Sequence, residues 1–132
     1  MSSAQRALPL FGAPQRWLTD IYAKRFAFTL VVAHAEFFRV DFMAWLSVNY
    51  RIWRAFEYEA DRIWDRGRRH YSARTIGEYL RHETALREEG GDLGFKLNDH
   101  YVPDLGRLYM LFHPDREGFF ERRPGGSAVR VR

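Results

Sequence analysis

The sequence predicts a mainly α protein, one helical domain carrying a small two-stranded β-hairpin, of the helix-turn-helix or winged-helix kind. Three observations predict it. Apolar residues recur at steps of three or four from Asp41 to Gly67, and again after Ser72 and after Pro103. Residues that start or stop helices bracket these stretches: Asp41, Ser72 and Pro103 at the beginnings, and Gly67, the pair Gly90 and Gly91, and Pro114 at the ends. Residues 95–98 alternate apolar and polar as a short strand does, and 119–122 follow a turn as a second short strand.

The elements follow in order. Residues 1–15, with Ser2, Ser3, Pro9, Gly12 and Pro14, read as a flexible arm. Periodicity alone leaves 26–32 open to strand or buried helix, and Ala23, Ala27, Ala33 and Ala35 with no turn signal favour a helix from about residue 16 to 38. A long amphipathic helix then opens on Asp41 as N-cap. Trp45, Val48, Ile52, Phe56, Ala60 and Ile63 form its inner stripe, Arg51, Arg54, Glu57, Asp61, Arg62, Asp65 and Arg66 decorate its outer faces, and Gly67 ends it. Ser72 caps the next helix, whose inner positions are Ile76, Tyr79 and Leu80. Pro103 and Asp104 suit the positive start of a last helix with Leu105, Leu108, Tyr109 and Phe112 inward, and His113 suits its end. Residues 95–98 and 119–122 are expected to pair as the hairpin, and 124–132 form a flexible basic tail, leaving 16–123 as the single domain.

Composition narrows the function classes. A chain of 132 residues with 46% hydrophobic and 17% aromatic content excludes a disordered body, and at this length it also excludes a large multidomain enzyme. The lack of cysteine rules out disulfides, thiolate metal sites and a cysteine nucleophile. The most apolar run, 26–38, contains His34 and Glu36 and falls short of the ~20 residues of a bilayer span, and residues 1–14 lack the apolar centre of a secretory signal. A cytoplasmic protein with no membrane partner is the expectation.

Of the 21 basic residues only Lys24 and Lys96 are lysine. Guanidinium groups fork onto phosphates and carboxylates and stack on rings, so this bias suits nucleic acid or a protein interface; a high-GC genome produces the same bias. Arg66, Arg68, Arg69, His70, Tyr71 and Arg74 crowd the link between two helices and make the leading candidate site, a phosphate-binding segment. The alternative for the same residues is a hydrated turn with Tyr71 on the core and Asp65 beside the arginines. Asn98 and Arg107 are of the types that read bases, although Asn98 and Asp99 equally suit a turn or cap. Trp53 and Trp64 lie off the inner stripe, and together with Trp17 they exceed what one small core needs, which makes all three candidates for contact with a host protein or a second copy of the chain. The five histidines match no metal-ligand spacing, and neither a nucleotide-binding glycine loop nor a nucleophile elbow is present, so no catalytic residue, metal or cofactor is expected.

Between Ile52 and Arg123 the wording resembles a group of short phage and prophage proteins. The shared signature is Gly67, the run HYSARTI from His70 to Ile76, Leu80 with Arg81, FKLN from Phe95 to Asn98, Leu105, Arg107, Leu108, Met110, GFFE from Gly118 to Glu121, and Arg123. The resemblance covers a little over half of the chain. It implies a mobile-element setting and a compact helical fold, and it carries over no catalytic residue. Two readings follow, a nucleic-acid-binding accessory protein or an inhibitor or adaptor acting on a host protein.

Overall fold

The computed structural model describes the backbone of residues 12–87 and 99–120 and the side chains of 20–83 and 100–120. Five α-helices follow one another among these residues: α1 (Gly12–Ala33), α2 (Phe42–Val48), α3 (Tyr50–Asp65), α4 (Ala73–Arg87) and α5 (Val102–Phe112). Short 3₁₀ turns at Ala35–Phe37, Asp99–Tyr101 and Pro114–Arg116 join or end them.

The ambiguous N-terminal segment is helix. α1 begins at Gly12, so residues 12–15, expected in the arm, belong to its first turns, where a proline such as Pro14 displaces no intrahelical hydrogen bond. The expected long helix from Asp41 to Gly67 is instead two. At Asn49 the side-chain Nδ2 donates to the Trp45 carbonyl at 2.9 Å, and the backbone turns out of helical geometry (φ −118°, ψ 33°). An asparagine amide offering the chain this alternative to the next helical hydrogen bond is a common cause of such breaks. The break shifts the phase of the buried stripe. Val48, expected inward, is 80% exposed, whereas Trp53 is fully buried with Ile52, Phe56 and Ala60.

α5 forms the centre of the packing and touches α1, α3 and α4. Its buried side chains are Val102, Asp104, Leu105, Leu108 and Tyr109. They meet Ala27 and Val31 of α1, Phe42 and Leu46 of α2, the stripe of α3, and Ile76 and Leu80 of α4 in one core. At Gly106 a Cβ would stand 3.3 Å from the Ala73 Cβ and 3.4 Å from the Phe120 ring, so the absent side chain lets α5 lie close to the start of α4. Gly67 ends α3 with φ +99°, a conformation that L side chains rarely adopt, as its C′ position requires.

No strand occurs among the described residues, so the hairpin is not supported. Residues 95–98 lie outside them, and Phe120 makes a single parallel bridge with Tyr71. The apolar pair that suggested a strand is spent on burial instead: Phe119 and Phe120 are 1% and 3% exposed and plug the core under α3 and α5. The tail over 124–132 and the arm up to residue 11 also lie outside the described residues.

Candidate nucleic-acid interface

The link between α3 and α4 is built around aromatic supports. α3 closes with Arg66 at its C-cap and the Gly67 turn. The chain then runs without regular structure to Tyr71, whose N–H donates to the Phe119 carbonyl at 2.8 Å. Ser72 Oγ accepts the Thr75 N–H at 3.2 Å, the N-cap geometry that its position predicts, and α4 begins.

Along this path Arg66, Arg68, Arg69, His70 and Arg74 are exposed and Tyr71 is half-buried. The arginines differ in their ties. Arg69 lies over Trp64, its guanidinium carbon 3.9 Å from the ring centre, and donates to the carbonyls of Trp64 and Arg68 at 3.0 Å each. It shapes the link as much as it decorates it. Arg68 lies 5.8 Å from the centre of the Tyr71 ring. Arg74 pairs with Glu78 one turn on at 3.4 Å, an exposed contact of little worth that a phosphate can replace.

The remaining sequence candidates fall elsewhere. Arg107 donates to Asp104 Oδ1 at 2.8 Å, and Asp104 is fully buried with Arg39 also 3.7 Å away. A guanidinium engaged in this way serves the fold of α5. Trp53 is a core residue, packed against Phe112 with ring centres 5.8 Å apart, which removes it as an interface candidate. Trp64 is half-buried, with the guanidiniums of Arg69 and Arg116 against its ring and Phe119 at its edge. Asn98 and the side chain of Trp17 lie outside the described residues.

Sequence reasoning missed a polar network behind the link. Tyr109 on α5 donates to Asp61 Oδ1 of α3 at 2.7 Å, Arg116 donates to the same oxygen at 2.8 Å, and Arg116 also bonds the Tyr109 hydroxyl. Burial first, and then the Asp61 carboxylate, hold the Tyr109 hydroxyl well above the ordinary tyrosine range. His113 Nε2 stands 3.2 Å from Glu57 one turn away on α3. At the other end of the molecule Tyr101 donates to Asp41 at 2.7 Å, which lowers the Asp41 carboxyl below its usual value. Asp41 holds the N-cap position of α2 as predicted, yet its side chain makes no cap hydrogen bond because it serves Tyr101. A signal did exist for Tyr109: a tyrosine within an otherwise apolar stripe needs a partner for its hydroxyl. Nothing local pointed to which partner.

Among the described residues no group of three or more His, Asp or Glu side chains is placed to hold a metal ion, and no helix is long and apolar enough to cross a membrane. Set beside known protein-family models, curated proteins and solved structures, the chain matches none.

Proposed function

We propose that the protein is a small non-catalytic nucleic-acid-binding accessory protein of the phage or prophage type, contacting phosphates through the link from Arg66 to Arg74. One observation carries the reading: Arg66, Arg68, Arg69, His70 and Arg74 all stand exposed within a single link braced from behind by Trp64, Tyr71, Phe119 and Phe120. Cations held on a rigid base at the surface lose little entropy on meeting phosphates and release the counterions condensed there. The phage setting is supported by the resemblance carried on His70 to Ile76 and Gly118 to Glu121.

The test is binding of the full chain to labelled nucleic acid at low and moderate salt, beside an Arg68→Ala/Arg74→Ala variant that leaves the structural Arg69 in place. Wild type should bind at low salt and weaken steeply as salt rises, and the variant should bind more weakly with a slope shallower by roughly 1.5 to 2. No binding at low salt would end this reading.

A second reading, an inhibitor or adaptor that covers a host protein, is favoured by a different surface. Tyr22 and Val32 on α1 are 64% and 66% exposed, and Val40 beyond it is 97% exposed. Large apolar side chains left in water suit a protein partner, and such binding would be nearly indifferent to salt.

A further inference from the structure

The buried side of α3 is Ile52, Trp53, Phe56 and Ala60. On the opposite side Arg54, Tyr58, Arg62 and Arg66 follow one another at steps of four, so they lie on one ridge of the helix. Tyr58 is 68% exposed, and the Arg54 and Arg62 side chains one turn to either side are 46% and 38% exposed. Arg51, also exposed, flanks the ridge near its start. A ring this far out contributes little to the core.

The arginines of the ridge have acidic neighbours. Arg54 faces Asp20 at 3.3 Å and Glu57 at 3.7 Å, and Arg62 faces Glu59 at 3.8 Å. Asp65 stands exposed on the same side. The Arg54–Asp20 pair, both partners about half-exposed, is of the kind that a phosphate can replace. The ridge also has no gap at its end: Arg66 is its last member and the first residue of the link, where Arg68, Arg69 and His70 follow. From Arg54 to Arg66 the rise is roughly 18 Å, twelve residues at about 1.5 Å each.

We infer that the outer ridge of α3 is the path of a single strand of nucleic acid, with Tyr58 as the platform for a base and Arg54, Arg62 and Arg66 along the phosphates leading into the link. The inference rests on the phosphate-binding reading of that link and adds the class of ligand. An exposed ring set between guanidiniums offers stacking that any base can use and cations that track the backbone, the two components of sequence-tolerant single-strand binding. In a duplex the faces of the bases are stacked on one another, so Tyr58 would find only edges and phosphates. The length of the ridge suits a stretch on the order of four to six nucleotides.

The experiment titrates the full chain with a labelled oligothymidylate of about twelve nucleotides and with a labelled duplex of mixed sequence, using wild type, Tyr58→Ala, Tyr58→Phe and the Arg68→Ala/Arg74→Ala link variant. Thermal melting of each variant confirms that the fold is retained. Wild type should prefer the single strand. Tyr58→Ala should weaken that binding about 5- to 100-fold with no change in salt slope, and Tyr58→Phe should keep it. The link variant should instead flatten the slope. If Tyr58→Ala binds the oligothymidylate as wild type does while the link variant fails, the inference is wrong and the link reading stands. Preference for the duplex also overturns it. Failure of both nucleic acids to bind at low salt overturns both readings.

Discussion

α1 and α3 border the same core and use their surfaces in opposite ways. α3 buries one side, Ile52, Trp53, Phe56 and Ala60, and presents charge on the other. Polar contacts on its flanks pin it further, Asp61 to Tyr109 and Arg116, and Glu57 to His113. α1 buries Ala27 and Val31 but also sends Tyr22 and Val32 into solvent. Its other described attachments are lighter: the edge of Phe26 on Phe112, Phe28 near Tyr50, Lys24 over Tyr50, and the exposed pair of Asp20 with Arg54. A helix with a sharp apolar stripe orients itself, because only one rotation buries the stripe. A helix that is apolar on several sides takes its orientation from its neighbours and leaves apolar surface over, which is why α1 leaves Tyr22, Phe26 and Val32 exposed.

The contrast can be broken most directly in the core. Phe56→Ala should cost about 3 to 5 kcal/mol by chemical denaturation, since it empties a fully buried site between α3 and Phe120. A loss per deleted carbon from Val31→Ala equal to that from Phe56→Ala would mean that α1 is anchored as firmly as α3.

The polar pins come next. Tyr109→Phe removes the hydroxyl that donates to Asp61 and meets Arg116, and should cost about 1 to 3 kcal/mol at neutral pH. It should also change the alkaline limb of stability. The folded state holds the Tyr109 proton more tightly than the unfolded chain, whose tyrosines titrate near 10. The corresponding stabilisation is complete below that pH and is lost as pH rises beyond it. Denaturation midpoints followed from pH 8 upward should therefore fall more steeply above about pH 10 in wild type than in the variant.

The smallest effect belongs to the outward face of α1. Tyr22→Ser should change the stability of the isolated protein by no more than about 0.5 kcal/mol, because the ring is 64% exposed. A larger loss, or one that depends on protein concentration, would show that a second copy covers this face.

Much of this was legible beforehand. The Gly67 stop, the Ser72 cap and the inward run of Leu105, Leu108 and Tyr109 stand where spacing and residue type put them. So does the exposure of the arginines in the link. Nothing local marks the break at Asn49, since an asparagine inside a long apolar stripe looks like one more surface residue until its amide meets the Trp45 carbonyl. A pair of aromatics after a turn fits a strand and a core plug equally well, and Phe119 and Phe120 form the plug.

The sequence by itself determined that the chain is mainly helical, where α3 and α5 stop, and which link carries the positive charge. Those are local properties, settled within a turn or two of chain by periodicity, caps and glycine. Only the tertiary structure decided that Trp53 lies in the core, that Arg69 lies on Trp64 and that Arg107 belongs to a buried Asp104. It alone joined Asp61 to Tyr109, 48 positions apart, and Asp41 to Tyr101, 60 positions apart. Contacts of that range depend on how helices dock, and docking is set by the burial of the whole apolar surface at once, which no single stretch of residues encodes.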